Sequence, residues 1–369
     1  MKTRAAVLRE AGKDWEITEL DLDPPKAGEV LIRYVAAGLC HSDEHARTGD
    51  LTPRFPLVGG HEGAGVIEEV GPGVTRLKAG DHVICSFLPA CGHCRFCADG
   101  RSNICDVGAN TMVGCLADGT FRFHGGGEDF GAMCMIGTFS QYSTISEYSC
   151  VKVDDDVPLE TAVLIGCGVP TGFGTTANAG GLRPGDTVAI YGIGGIGINA
   201  VQGAKIAGAR HIVAIDPLGF KRETALKLGA THAVGTAEEA QALILDLTRG
   251  VGAHQALVTV GVVDEDVISS AFAAIRKGGE VVVTGLADPL KKTINVSGAE
   301  LTLFEKRLRG ALFGGGNPFA EIPRMVELYQ SGQLKLDELV TQRYTLDEIN
   351  QGYQDLNDGK NIRGVISYA

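Results

Sequence analysis

The chain has 369 residues, of which 44% are hydrophobic and 21% charged, and this length predicts two domains rather than one. The net charge of −12 and a pI near 5.2 argue against a nucleic-acid or anionic-membrane partner. No apolar run reaches the roughly 18–20 residues of a membrane span. The N-terminal "MKTRAAVLRE" lacks the apolar segment of a signal peptide, so we expect a cytoplasmic protein.

The first half of the chain predicts a β-rich domain. Strand patterns at 29–38, 63–74 and 79–87 are separated by glycine and proline turn signals. From about residue 170 strands alternate with helices, which predicts an α/β domain with a doubly wound parallel sheet. The candidate strands there are 186–191, 211–216, 231–235, 255–260 and 279–285, with candidate helices at 198–209 and 220–230. The tail adds a helix at 322–332 and a closing strand at 363–369.

A dinucleotide signal lies in the second half. The run "VAIYGIGGIG" is a buried strand followed by Gly192, Gly194 and Gly197 in the G-x-G-x-x-G spacing. These glycines would permit the tight turn, the approach of a pyrophosphate and the packing of helix on strand. The next strand ends in Asp216, a carboxylate that would accept from ribose hydroxyls and favour NAD over NADP. Lys221 and Arg222 follow closely, and a basic group there would soften that preference. A nucleotide-free doubly wound domain is the alternative.

Ten cysteines in a cytosolic chain indicate metal ligands or reactive thiols rather than disulfides. Four thiolates in one short loop can surround a tetrahedral Zn²⁺ without an open position, which is typical of a structural site. An iron–sulfur cluster is the competing interpretation, but the spacing of the fourth cysteine and the absence of a following proline favour zinc. The four form the run C-x2-C-x2-C-x7-C: Cys91, Cys94, Cys97 and Cys105.

The stretch "GLCHSDEH" (38–45) allows a polar loop, a reactive thiol or part of a metal site. Cys40 within it, His61 in "GGHEGAG" and Cys167 in "LIGCGVPTG" would together form a Cys2His set with an open fourth position. That set is the one known from alcohol dehydrogenase, and the assignment is taken from there. Each of the three residues alone has a plain structural interpretation, and only the joint pattern favours a metal.

The chain resembles the zinc-containing medium-chain alcohol dehydrogenases over essentially its whole length. The matching motifs include "GLCHSDEH", "GHEGAGVIEEVGPGV", the four-cysteine loop, "GCGVPTGFGT", "GIGGIG", "AIDP", "RKGGEVVVTG" and "NIRGV". The resemblance implies a GroES-like catalytic domain (1–168 and 313–369) and a Rossmann dinucleotide-binding domain (169–312). It also implies two zinc ions per chain and NAD(H).

Catalytic roles follow from the same resemblance. Ser42 would accept the proton of the alcohol, and His45 would pass it to solvent by way of the ribose hydroxyls of the cofactor. Asp43 resembles the carboxylate that orients the metal-bound imidazole of His61. Glu62 matches a family position near the metal and would assist ligand exchange.

The resemblance also assigns cofactor contacts. His41 and Arg363 resemble pyrophosphate contacts, with solvated loop charges as the alternative. Leu286 and Phe313 would lie near the nicotinamide or the substrate. The complete set assigned to the cofactor is His41, Thr171, Gly192, Gly194, Gly195, Gly197, Asp216, Lys221, Leu286, Phe313 and Arg363.

Within the family, the long segment 111–143 resembles that of the dimeric enzymes, so we expect a homodimer or higher homo-oligomer. Motifs such as "DGTFRFH", "GEDFG" and "NPFAEIPR" resemble the actinobacterial N,N-dimethyl-4-nitrosoaniline (NDMA)-dependent alcohol dehydrogenases, which are nicotinoproteins. In that group NAD(H) stays bound and an external redox acceptor reoxidises it. The alternatives are a thiol-dependent formaldehyde dehydrogenase, an ordinary alcohol dehydrogenase with exchangeable NAD, and a zinc-less quinone reductase-like protein.

Overall fold

The computed structural model describes residues 1–287 and 293–368, which form two compact units. Unit 1 comprises Met1–Cys167, Asn317–Gly332 and the C-terminal segment from residue 336. Unit 2 comprises Gly168–Gly316 and Gln333–Lys335. Within the described ranges, every helix is too short or too polar to cross a membrane.

The helices and strands are numbered in chain order. The first half contains β1 (Lys2–Leu8), β2 (Glu16–Leu22), β3 (Glu29–Leu39), α1 (His41–Thr48), β4 (Leu57–Val58), β5 (Gly63–Val70), β6 (His82–Cys85), α2 (Arg95–Ala98), β7 (Phe123–Gly125), β8 (Glu128–Ala132), β9 (Tyr142–Ser146), β10 (Cys150–Lys152) and α3 (Leu159–Ala162). The second half contains α4 (Gly168–Gly174), β11 (Thr187–Tyr191), α5 (Gly195–Ile206), β12 (His211–Ile215), α6 (Gly219–Leu228), β13 (His232–Val234), α7 (Ala237–Leu247), β14 (Ala253–Val258), β15 (Val262–Val263), α8 (Glu265–Ala274), β16 (Ile275–Val283), β17 (Leu286–Ala287), α9 (Gly298–Leu303), β18 (Arg307–Gly310), α10 (Pro318–Gln330), β19 (Val340–Tyr344), α11 (Ile349–Asn357) and β20 (Arg363–Ser367).

Unit 1 is built from β-structure, as the sequence predicts. Strands β1, β2, β7, β8 and β4 close into a barrel. A second sheet has the order β10-β6-β5-β3-β20-β19, with β9 also paired to β3. Strand β3 is buried along most of its length because it pairs with β5, β9 and β20, which explains its nearly continuous apolar sequence. The predicted closing strand is β20, and residue 369 lies outside the described part of the chain.

Unit 2 contains a six-stranded parallel sheet with the order β13-β12-β11-β14-β16-β18. This is the strand order of a doubly wound dinucleotide-binding sheet, so the predicted Rossmann architecture is confirmed. The five strands predicted from apolar runs are β11, β12, β13, β14 and β16. The edge strand β18 was not predicted, because its sequence "RLRG" is charged and partly exposed.

The start of helix α1 is supported by an aromatic cluster in unit 1. The ring of Trp15 stacks on Tyr353 at a centroid distance of 5.8 Å and meets Phe139 edge-on at 5.4 Å. The hydroxyl of Tyr353 donates to the carbonyl oxygen of Cys40 at 3.5 Å. Cys40 itself has an extended backbone and is the N-cap residue of α1, so the strand-to-helix turn places its side chain at the end of β3.

Candidate active site

Four buried metal-ligating side chains converge in unit 1. Cys40 follows β3, His61 and Glu62 lie in the loop between β4 and β5, and Cys167 directly precedes α4. One ligand atom from each of the four lies within 4.8 Å of the others. The structure therefore brings together the three residues that the sequence analysis grouped as a Cys2His set, and it adds the carboxylate of Glu62.

The chemistry of this cluster fits a zinc ion. The Nε2 atom of His61 and the Oε1 atom of Glu62 are buried and have no hydrogen-bond partner among the described residues. Buried polar atoms without a partner cost free energy, and a bound cation would remove that cost. Two thiols, an imidazole and a carboxylate are ligands that zinc accepts.

Asp43 fixes the orientation of the His61 imidazole. Its Oδ2 atom lies 2.9 Å from Nδ1 of His61, and its Oδ1 atom accepts a hydrogen bond from the backbone N–H of Gly60 at 2.9 Å. Burial raises the pKa of Asp43 above its ordinary value, although the charge of His61 opposes this. With Nδ1 directed at a carboxylate, Nε2 is the ring atom that faces the metal ligands.

The two thiols of the cluster are electrostatically coupled. A hydrogen bond from Cys167 holds the pKa of the Cys40 thiol well below its ordinary value, with the charges of His61 and Arg363 acting in the same direction against burial. The same hydrogen bond raises the pKa of Cys167. Cys40 is therefore prepared as a thiolate, the form in which cysteine binds a metal.

Arg363 is buried on β20 and donates a hydrogen bond to Glu62. The alternative of a solvated loop charge at this position is therefore wrong, because strand pairing takes the side chain into unit 1. Burial raises the pKa of Glu62 to about 7, and the neighbouring guanidinium opposes that rise. The pyrophosphate contact assigned to Arg363 stays a prediction.

Besides Asp43, helix α1 carries three further predicted site residues. Its first residue, His41, is half-buried. The Oγ atom of Ser42 lies 3.9 Å from Sγ of Cys40, which places a hydroxyl beside the candidate metal ligand. His45 lies one turn further on; its side chain is buried, and its Nδ1 atom lies 3.2 Å from Oδ2 of Asp50.

Two aromatic side chains that contact the site were not predicted from the sequence. Phe87 packs edge-on against the imidazole of His61 at a centroid distance of 5.8 Å. Tyr353 reaches the carbonyl of Cys40 from helix α11. Phe87 could have been suggested by its position just after strand β6, near the loop that carries His61. No local pattern links Tyr353 to Cys40, which lies more than three hundred positions away in the sequence.

A second group of metal-ligating atoms forms the four-cysteine loop, in which the four Sγ atoms also lie within 4.8 Å of one another. Backbone N–H groups point at the sulfurs: Cys94 donates to Sγ of Cys91 at 3.3 Å, and Cys97 donates to Sγ of Cys94 at 3.4 Å. Such hydrogen bonds, including one from Asp106, lower the pKa of Cys94 to about 6. A closed set of four sulfurs fits a structural zinc ion.

The glycine turn of unit 2 has the geometry that its spacing predicts. Gly192 follows β11 with a φ of 89°, a left-handed conformation that favours glycine. A Cβ atom at Gly197 would lie 1.9 Å from the carbonyl oxygen of Gly192. Only glycine at position 197 therefore lets the start of helix α5 pack this closely on the turn. A Cβ atom at Gly194 would meet no described atom within 4 Å, which leaves room for a ligand in front of the turn.

Asp216 connects the end of β12 to this turn. Its Oδ2 atom accepts from the N–H of Ile193 at 2.8 Å, and its Oδ1 atom accepts from the N–H of Leu218 at 2.9 Å. A carboxylate oxygen can accept more than one hydrogen bond, so these contacts are compatible with binding a ribose hydroxyl as well. Arg222 donates to the backbone carbonyl of Asp216 at 2.7 Å.

The remaining cofactor candidates all lie in unit 2 but differ in exposure. Thr171 is buried on α4, and its hydroxyl has no hydrogen-bond partner within the described part of the chain. Phe313 is fully buried, Lys221 is half-buried on α6, and Leu286 is exposed on β17. Gly195 is the first residue of α5.

Comparison with known proteins covers both units. The alcohol dehydrogenase GroES-like domain family matches residues 26–155, and the zinc-binding dehydrogenase family matches residues 195–331. An NDMA-dependent alcohol dehydrogenase from Amycolatopsis methanolica is 64% identical over 369 residues, which is 100% of both chains.

Two crystal structures share the fold over their whole length. An alcohol dehydrogenase zinc-binding domain protein from Burkholderia ambifaria superposes with a TM-score of 0.93 at 35% identity, covering 100% of this chain and 99% of that one. Benzyl alcohol dehydrogenase from Acinetobacter calcoaceticus superposes with a TM-score of 0.93 at 33% identity, covering 100% of both.

Proposed function

The chain belongs to the zinc-binding alcohol dehydrogenase family, and we propose that it oxidises alcohols to aldehydes or ketones with an NAD(H) that stays bound through turnover. In this proposal an external redox acceptor, not a second NAD⁺, reoxidises the bound cofactor. The observation that carries the proposal is the 64% identity, over the full length of both chains, to an NDMA-dependent alcohol dehydrogenase.

The side chains of the buried cluster are suited to this chemistry. Cys40, His61 and Cys167 would hold a zinc ion, which when bound would polarise a substrate hydroxyl and lower its pKa, and the glycine turn would hold NAD⁺ as the hydride acceptor. Asp43 holds the imidazole of His61 with Nε2 toward the thiols. Ser42, whose hydroxyl lies beside Cys40, receives the proton of the alcohol.

His45 and Glu62 have separate roles in this scheme. His45 lies on the same helix as Ser42 and takes the proton onward to solvent. Glu62 has a carboxylate oxygen within 4.8 Å of the three other ligand atoms, which is close enough for it to enter and leave the ligand set during exchange. Arg363 supplies the positive charge that makes this buried carboxylate tolerable.

We also propose the cofactor contacts on the support of the family relationship. His41 and Arg363 would bind the pyrophosphate, and Asp216 would bind the adenosine ribose in preference to a 2′-phosphate. The other contacts are Thr171, Gly192, Gly194, Gly195, Gly197, Lys221, Leu286 and Phe313.

Three broader properties remain part of the proposal. The family relationship supports a cytoplasmic location, and the long segment 111–143 supports a homodimer or higher homo-oligomer. The catalytic domain would comprise residues 1–168 and 313–369, and the dinucleotide-binding domain residues 169–312.

Metal analysis of the variant Cys40→Ala tests the zinc mechanism. The wild-type protein should contain about two zinc ions per chain, and the variant should lose one of them together with alcohol oxidation. The matched control is Cys115→Ala, which removes a buried cysteine outside both ligand groups and should keep both ions. Full activity in Cys40→Ala would contradict the mechanism.

Extensive dialysis tests the retained cofactor. The dialysed protein should release nucleotide only on denaturation, and it should show reduced-nicotinamide absorbance as soon as alcohol is added. If dialysis removes the nucleotide and added NAD⁺ restores turnover, the enzyme is an ordinary alcohol dehydrogenase with exchangeable NAD. If turnover instead requires a thiol and formaldehyde, the chain is a formaldehyde dehydrogenase.

A further inference from the structure

The end of helix α1 places a carboxylate beside His45. The helix ends at Thr48, and Gly49 adopts a left-handed conformation with a φ of 92°. The N–H of Gly49 and the N–H of Leu51 both donate to the carbonyl oxygen of His45, at 3.1 and 2.9 Å. This turn reverses the chain and brings the side chain of Asp50 back to the imidazole of His45.

Asp50 is held in this position by two contacts. Its Oδ2 atom lies 3.2 Å from Nδ1 of His45 and accepts a hydrogen bond from the hydroxyl of Thr48 at 2.7 Å. These two hydrogen bonds lower the pKa of Asp50, so the side chain is a carboxylate at neutral pH. The side chain of His45 is 8% exposed and that of Asp50 is 52% exposed, so the pair joins a buried imidazole to solvent.

The other charged groups around this end of α1 have partners of their own. On the same helix Arg47 donates two hydrogen bonds to Glu44, at 2.8 and 2.7 Å. From the loop after β1, Asp14 lies 3.4 Å from Arg47, and from α11 the amide of Asn357 donates to Glu44 at 2.7 Å. Asp14 thus carries the same charge as Asp50 at a nearby exposed position, but its contact is with Arg47.

We propose that Asp50 is a positioning residue for proton transfer, because its carboxylate keeps a proton on Nδ1 of His45 and makes Nε2 the atom that accepts the substrate's proton. The inference rests on the proposed role of His45 in the proton path and deepens it. The proton that leaves the alcohol hydroxyl ends on Nε2, and the imidazolium then releases it from Nε2 to water. Throughout, the negative charge of Asp50 stabilises the imidazolium.

The two functions of Asp50, its charge and its hydrogen bond, can be separated by substitution. Asp50→Asn removes the charge but keeps a hydrogen-bond acceptor of the same size. Asp50→Ala removes both. Loss of the charge removes the electrostatic stabilisation of the imidazolium that forms when Nε2 takes up the proton. Loss of the hydrogen bond also frees the ring to place its proton on Nε2, where it cannot accept another.

The first readout is the pH profile of kcat for alcohol oxidation by the holoenzyme. In Asp50→Asn, which keeps an acceptor for the Nδ1–H of His45, the plateau of kcat should fall about twofold. In Asp50→Ala, which loses the acceptor as well, the plateau should fall about fivefold. Asp14→Ala is the matched control and should leave the plateau unchanged. Because Asp50→Asn is nearly isosteric, a folding failure of Asp50→Ala would leave the charge test intact.

The second readout does not depend on activity. Nitrogen chemical shifts of the His45 ring, assigned by their loss in His45→Gln, should show the Nδ1–H tautomer in wild type and a larger share of Nε2–H in Asp50→Ala. If His45→Gln lowers the plateau of kcat but Asp50→Ala has the wild-type profile and tautomer, the role of Asp50 is overturned and the proton path stands. If His45→Gln keeps the wild-type profile, the proposed proton path fails and the inference fails with it.

Discussion

Arg363 donates a hydrogen bond to Glu62 across 301 positions of sequence, and both side chains are buried. The pair joins strand β20 to the loop that carries His61. Its two charges compensate each other next to the candidate zinc ligands, so the cluster contains the Glu62 carboxylate without an unpaired buried charge.

Removal of one residue of the Arg363–Glu62 pair should therefore lower the stability of the protein. Arg363→Met leaves the Glu62 carboxylate without its cation, and we expect the free energy of unfolding in urea to fall by about 3–5 kcal/mol. The double variant Glu62→Gln/Arg363→Met should recover most of that loss. Arg33→Met is the matched control, because it breaks the exposed Arg33–Glu68 pair and should cost less than about 1 kcal/mol. Equal losses of stability in Arg363→Met and Arg33→Met would show that the Arg363–Glu62 pair is not buried in solution.

The glycine turn separates a ligand-binding glycine from a structural one. In Gly194→Ala the new methyl group meets no described atom, so thermal stability should stay close to wild type while the nucleotide content falls. In Gly197→Ala the methyl group would overlap the carbonyl oxygen of Gly192, and stability itself should fall by about 1–3 kcal/mol. Thermal unfolding and the nucleotide released on denaturation measure the two effects. Full nucleotide content in Gly194→Ala would refute the assigned approach of the pyrophosphate.

The four-cysteine loop should hold its zinc independently of the catalytic cluster. In Cys97→Ser we expect the zinc content to fall from about two to about one per chain, with a lower melting temperature. Cys115→Ser changes a buried cysteine outside the loop and should retain both ions. Zinc released to a colorimetric chelator after denaturation measures the count. An unchanged count in Cys97→Ser would contradict a zinc site in the loop.

Two histidines should respond to pH in opposite directions. Burial opposes protonation of His124, but the carboxylates of Asp129 at 2.7 Å and Asp23 at 3.1 Å raise its pKa. Burial lowers the pKa of His254, with Asp186 opposing. The stability that His124 contributes is present below its ordinary pKa of about 6.5 and is lost as pH rises through the folded value. The stability of neutral His254 is lost as pH falls through about 6.5.

Urea midpoints at several pH values check this difference. The cost of His124→Gln, below about 1 kcal/mol, should shrink as pH rises from about 6 to about 8. The cost of His254→Gln should grow over the same range. A parallel response of the two variants would contradict the assigned charge states.

Much of the fold could be predicted from local pattern. Apolar runs indicated β11, β12, β13, β14 and β16, and their alternation with helices predicted a doubly wound parallel sheet, whose strand order the structure then supplied. The charged edge strand β18 has no such run, so it could not be predicted from hydrophobicity.

The site was only partly predictable, for a physical reason. Motif spacing and family resemblance suggested Cys40, His61 and Cys167 as a group, and the structure places their ligand atoms together. The partners of Arg363 and His45 depend on strand pairing and on the reversal after Gly49, which no residue spacing shows. The residues around Arg363 in the sequence do not indicate whether its side chain is buried or solvated.

The fate of the transferred hydride tests the retention of NAD(H) through turnover most directly. Desalted, zinc-replete protein without added nucleotide is mixed with an alcohol deuterated at the carbinol carbon and passed at once through a gel-filtration column. If NAD(H) is retained through turnover, the deuterium should elute with the protein, on nucleotide released only by denaturation, and NDMA should then remove it. Deuterium recovered on free nucleotide, or none transferred until NAD⁺ is added, would contradict a cofactor retained through turnover.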